Sequence, residues 1–198
     1  MTTYEKRDRR MRASKAFKAI IIVAIYLGFS IVLASFQPDT ILDMVGANNA
    51  FVLMFVLGIV GGFTTFTGIP YHLVLMSLAA GGLSPIGLGL CTAIGVMIGD
   101  STMYLIGKSV KDSLSPRIHA TIDQFSRYLG RHPKLVAPAL VTYGAVSPFS
   151  NDFIVASFSM MNRGYWQTII PLTIGNIFYN TALAYLGFYA YDTIIAWF

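Results

Sequence analysis

The chain has 198 residues, 55% of them hydrophobic and only 12% charged, with a mean hydropathy of +0.63 and a formal net charge of +5. That balance excludes an ordinary soluble domain and points to a protein that crosses a membrane several times. The positive charge does not point to nucleic acid, because seven of the fourteen basic residues (Lys6, Arg7, Arg9, Arg10, Arg12, Lys15 and Lys18) sit just before the first apolar run. They form a cytoplasmic patch facing anionic inner-leaflet headgroups.

Residues 1–18 are therefore read as a basic cytoplasmic N-terminus, and residues 19–38, free of charge, as a first transmembrane helix running outward. The apolar stretch exceeds a signal-peptide core and more spans follow it, so it is not read as a cleaved leader. Asp39 to Asn49 carries two acids and no Lys or Arg, which suits an external loop.

From Met44 to Gly99 there are fifty-six residues without a charge. One crossing takes about 20 residues, and Gly61, Gly62, Gly68 and Pro70 interrupt the run near its middle. The two apolar segments between Ala50 and Leu83 are joined at Thr64–Pro70, and the second is too short to cross, so they read as a re-entrant hairpin entering from the outer side. Ser84 and Pro85 open a spanning helix through Lys108, and Gly95 and Gly99, four apart, give it a smooth packing face. Residues 50–108 make the first repeat. The lone Cys91 in this helix offers no disulfide and reads as a small core residue.

Residues 109–134 form a cytoplasmic loop, flanked and filled by Lys108, Lys111, Arg117, Arg127, Arg131 and Lys134. Within it Ser115-Pro116 starts an amphipathic helix on the inner leaflet, with Ile118, Ile122, Phe125 and Leu129 at helical spacing and Gly130 and Pro133 ending it. His119 reads as solvated rather than as a metal ligand. Residues 135–190 then repeat the plan. A hairpin turns at Ser147-Pro148-Phe149-Ser150-Asn151-Asp152, Arg163 closes it on the cytoplasmic side, and Tyr165 to about Tyr189 spans outward between aromatic belts.

Shifting the second unit by eighty residues places the Pro148 turn on the Pro70 turn, Asp152 on His72, and Gly175 and Gly187 on Gly95 and Gly107. Because the two hairpins enter from opposite sides, the expected fold is an all-α membrane protein with an inverted repeat of re-entrant hairpin plus transmembrane helix. To it are added the N-terminal helix and the cytoplasmic amphipathic helix.

The segment Gly95-Val-Met-Ile-Gly99-Asp100-Ser-Thr-Met-Tyr104-Leu-Ile-Gly107-Lys108 resembles the signature of the DedA family (the VTT or SNARE-associated membrane proteins), G-x3-G-D-x3-Y-x2-G followed by Arg or Lys. The resemblance extends over roughly Phe51 to Gly187 through Pro148, Ser159 and Gly175. It implies facing re-entrant hairpins and movement of phospholipids or polyprenyl-phosphate-like amphiphiles across the cell membrane, as flippase or scramblase, in some members linked to protons. The chain departs from the family where arginines of R-x2-P-x2-R fall on Ala145 and Asn151, and where P-G-E reads Pro70-Tyr71-His72.

Asp152 stands in an otherwise uncharged segment, where a carboxylate at the membrane centre costs about 2.5 to 3.5 kcal/mol. It is either a functional group or the cap of the second half-helix, a role also open to Ser147 or Ser150. The expected substrate path runs along Thr67, Pro70, His72, Ser147, Pro148, Ser150, Asn151 and Asp152, with Asp100, Asp152 and His72 as proton-linked candidates. Tyr104, Asn176, Tyr179 and Asn180 either line the same cavity or join helices. No catalytic residue, cofactor or metal is expected. The expected partners are membrane lipids, with no nucleic acid, and a homo-oligomer stays open. A small-solute exporter, a non-transporting scaffold and an intramembrane aspartyl protease are the other readings, and the last lacks the first glycine of G-x-G-D, where Met97 stands.

Overall fold

The computed structural model describes residues 38–62, 71–111, 116–147 and 150–195. The basic N-terminus and nearly all of the expected first span lie outside the described residues, as do Thr67, Pro70 and Pro148. Among the described residues the chain is helical without strands. In order the helices are α1 (Pro38–Val45), α2 (Ala47–Gly61), α3 (Tyr71–Ala80), α4 (Pro85–Val110), α5 (Pro116–Arg131), α6 (Pro133–Val146), α7 (Asp152–Met160) and α8 (Tyr165–Ile195).

The loop expected over Asp39–Asn49 is instead mostly helix. Pro38 stands at the first position, where its missing N–H costs nothing, and no breaker follows until Gly46. That glycine, at φ 77°, ends α1 and separates it from α2. The opening of α4 follows expectation, with Pro85 in its first turn and the Ser84 hydroxyl accepting from the Gly87 N–H at 3.3 Å. α8 runs six residues beyond Tyr189.

Two segments, Pro85–Val110 and Tyr165–Ala190, are each 26 residues long and apolar enough to cross a membrane. Each rises roughly 39 Å, against a hydrocarbon core of about 30 Å. The 15 residues of α2 and 10 of α3 rise only roughly 22 and 15 Å.

The two long helices show the same faces at a spacing of eighty residues. α4 exposes Ile86, Leu90, Ile94, Ile98, Leu105 and Ile106, and α8 exposes Trp166, Ile170, Ile174, Phe178, Tyr185 and Leu186. Apolar stripes of that length are not left against water, and they suit a bilayer. The turns into the long helices repeat as well. Leu83 N–H donates to the Leu78 carbonyl and Gly82 N–H to that of Ala79; Arg163 N–H donates to Phe158 and Asn162 N–H to Ser159. These are two Schellman turns whose left-handed residues, Gly82 at φ 92° and Asn162 at φ 58°, are of the two types that tolerate that conformation best.

Glycines set how closely the helices approach. α2 lies on α4 where Gly58 meets Gly95 and Gly62 meets Gly99, and α6 lies on α8 where Gly144 meets Gly175. Across the halves, Gly107 of α4 lies against Ala156 of α7, and Gly187 of α8 lies against Met76 of α3. Adding eighty to 107 and to 76 gives 187 and 156, so these two contacts are one contact made twice with the halves exchanged. Gly89 lies against Thr181, while Ser101 bonds Tyr165 at 2.7 Å, so α4 and α8 run antiparallel.

A Cβ on Gly99 would stand 2.6 Å from the Gly62 Cα and the Ile59 carbonyl, and one on Gly175 would stand 2.8 Å from the Gly144 Cα. Backbone cannot give way as a side chain can. Gly99→Leu and Gly175→Leu should each lower thermal stability in detergent by about 3 kcal/mol or more. Gly130→Ala, in open space on α5, should be neutral or gain up to about 1 kcal/mol. Equal behaviour of all three would contradict glycine-limited packing.

Candidate functional site

Helix packing brings together polar side chains that lie far apart in sequence. α2 runs parallel to α4 and reaches it at Gly62–Gly99, beside Asp100. The turn between α6 and α7 reaches the same level, because Asn151, just before α7, donates from Nδ2 to Asp100 Oδ2 at 3.2 Å and to Asn176 Oδ1 at 3.1 Å. Asp100 is the sixteenth residue of α4 and Asn176 the twelfth of α8. The end of α2 and the start of α7 thus arrive near the middle of the long helices.

An amide nitrogen carries two hydrogens, and Asn151 directs one to each long helix. The turn that aims it is held locally. Tyr143 donates from its hydroxyl to the Ser150 carbonyl at 3.1 Å, the Ser150 hydroxyl accepts from the Asp152 N–H at 3.2 Å, and the Asn151 carbonyl accepts from the Val155 N–H at 2.9 Å. Ser150 therefore takes up one of the free N–H groups at the start of α7.

Asp100 and Asp152 are 1% and 3% exposed and are the buried charged residues among those described. Asp152 and Asn176 both stand near Asp100. Asn176 and Asn180, 5% and 1% exposed, complete the cluster, Asn180 donating to the Asn176 carbonyl at 2.8 Å. Asp100 Oδ1, Asn176 Nδ2, Asn180 Oδ1 and Thr181 Oγ1 are buried with no hydrogen-bond partner among the described residues. Buried polar atoms are rarely left so; Asp100 Oδ1 and Asn176 Nδ2 belong to the junction, whereas Thr181 lies farther along α8, against Gly89.

The first half reaches the cluster through aromatic rings. Tyr71, buried against Gly61, lies near Asp100 and Tyr179. The His72 ring stands 3.9 Å from that of Tyr71 and meets Tyr179 edge-on at 5.6 Å. A line of polar groups thus runs from His72 through Tyr179 and Tyr71 to Asp100 and Asn151. At the other end of α4, Tyr104 donates from its hydroxyl to the Arg163 carbonyl and accepts from Ser159 Oγ at its own carbonyl at 2.6 Å. This fastens α4 to α7 and to the turn beyond it.

Of the residues marked from sequence, Asp100, Ser150, Asn151 and Asp152 converge, and His72 stands at the aromatic end. Ser147 is half-buried at the end of α6, its N–H donating to the Tyr143 carbonyl at 2.8 Å. Cys91 is half-buried and free in α4. The expected path did not include Asn176 as a binding residue or Tyr71 at all. One signal was available for this polar face of α8: Asn180 is the residue eighty positions after Asp100. No family model matches the chain, and no curated protein and no solved structure matches it.

Asn151→Ala removes the donor shared by Asp100 and Asn176. It should lower stability in detergent by about 1 to 3 kcal/mol. Asp100→Asn in the same protein should cost less in the Asn151→Ala background than alone, giving a coupling above about 0.5 kcal/mol in a double-mutant cycle. Strict additivity would show that the two side chains do not bond.

Proposed function

We propose that this chain is a DedA-like membrane transporter that carries phospholipid or similar amphiphiles across the cell membrane, with its N-terminus in the cytoplasm. In this reading α2 with α3, and α6 with α7, are re-entrant hairpins, and each combines with the long helix after it into one half of an inverted repeat. Three features support the inversion: the antiparallel course of α4 and α8, their recurrence at eighty residues, and helices α2 and α3 too short to cross. The observation that carries the function is the Asp100–Asn151–Asn176 junction, a buried polar cluster drawn from both halves at mid-length of two apolar helices. Transporters of inverted-repeat plan place their sites at that level, and intramembrane carboxyls are functional candidates because they are costly to keep.

The cluster also bears on the headgroup. The arginine that the family resemblance leads one to expect at Asn151 would have met a phosphate bidentately. Asn151 instead spends both amide hydrogens on the protein, and two carboxyls stand beside it. Such a path favours a headgroup that donates hydrogen bonds or carries an ammonium over a bare phosphate. A small-cation exporter on the same fold is the alternative that the carboxyl pair favours.

In liposomes with headgroup-matched fluorescent lipids, phosphatidylethanolamine should flip faster than phosphatidic acid. Asp152→Asn and Asp100→Asn should each lower the rate at least tenfold without loss of fold. An unchanged rate in Asp152→Asn would remove that residue from the mechanism. Cation flux without lipid movement would favour the exporter.

A further inference from the structure

A second site lies away from the Asp100 cluster, where α5 meets α6 and α7. The polar positions of α5 take one face and its apolar ones the other, and Ile122 and Leu129 pack onto a small core of Val136, Leu140, Phe158 and Met161. That core does not fill the space beneath the helix. A cavity of about 350 Å³ remains, walled by Phe125, Leu129, Leu135, Leu140, Ile154 and Phe158, with Tyr128, His132 and Tyr143 as its polar edge. Its size falls within the range of about 300 to 1,000 Å³ found for ligand clefts.

We propose that this cavity holds a hydrocarbon chain of an anionic membrane lipid, whose headgroup rests on the basic end of α5. The charge at the mouth selects the headgroup. Arg127, Arg131 and Lys134 are all exposed on the turns that carry Tyr128, His132 and Leu135, and Asp123 is the one acid on α5. The walls select the chain. Phe125 is 48% exposed and Leu135 63% exposed at the edges of the cavity, although both are large apolar side chains. Hydrocarbon entering from a bilayer covers such residues, and cations on an amphipathic helix at the interface draw anionic headgroups.

This site is separate from the transport path and does not depend on it. One lining residue, Tyr143, also holds the Ser150 carbonyl beside the Asp100 cluster, while the rest of the lining lies outside that cluster, so a protein that moved no lipid at all would still bind here. Its effect would be to hold α5, and through the Ile122 and Leu129 contacts α6 and α7, against the inner leaflet.

The test uses the full chain, purified in mild detergent and mixed with dioleoylphosphatidylglycerol or dioleoylphosphatidylcholine micelles, with bound lipid read by native mass spectrometry. The wild type should retain phosphatidylglycerol at least fivefold over phosphatidylcholine. Ala139→Trp, at an exposed lining position, should cut retained phosphatidylglycerol at least fivefold, and Ala139→Leu should fall between. The triple variant Arg127→Gln, Arg131→Gln, Lys134→Gln should bind the two lipids alike while keeping the wild-type level of phosphatidylcholine. Equal retention of both lipids by the wild type would overturn the proposal, as would retention that Ala139→Trp leaves unchanged. So would a lipid-free dimer that Ala139→Trp dissociates, since the face would then belong to a second copy of the chain.

Discussion

The structure depends on an exchange of short helices between the two halves. α7, from the second half, lies on α4 where Gly107 meets Ala156, and α3, from the first half, lies on α8 where Gly187 meets Met76. Neither long helix could be approached so closely with a side chain at its glycine. In a membrane, where lipid is as apolar as leucine, such close backbone packing replaces the hydrophobic drive that holds soluble helices together. Because the exchange is reciprocal, pulling one half away from the other breaks both contacts at once.

The same exchange sets the site. Fixing α7 on α4 brings Asn151 beside Asp100, and the antiparallel α8 presents Asn176 from the other side. Burial of two carboxyl groups is costly wherever they sit, and amides offset only part of the cost. Asp100 recovers part of that cost by accepting from Asn151 at 3.2 Å. What the arrangement provides is a polar junction common to both halves, so that any rocking of one half against the other changes the surroundings of Asp100, Asn151 and Asn176 together.

Much of this was legible in the chain. The spans of α4 and α8 follow from apolar length and from Ser84-Pro85, and the register of eighty was visible in glycine positions although few residues are identical. The repeat is carried by size and backbone conformation, as in Gly82 against Asn162, and a comparison of letters is nearly blind to both. α1 was hidden because Asp39 and Asp43 read as loop composition, while the Pro38 start is a local signal easily outweighed. Asn176 and Tyr71 joined the site only through tertiary contacts, since nothing near them in sequence separates a helix-joining amide or a buried phenol from a binding group. Asp100 and Asp152 stood out because charge in an apolar run is its own signal.

Labelling of paired cysteines tests most directly whether the two halves oppose one another across the bilayer. Ser84 and Gly164 precede the two long helices at equivalent positions and are both exposed. With Cys91→Ala as background, an impermeant maleimide should label Ser84→Cys in intact cells and Gly164→Cys only after the membrane is opened. Labelling of both from the same side would mean that the halves are not inverted, and the shared polar junction at the membrane centre would then lose its basis.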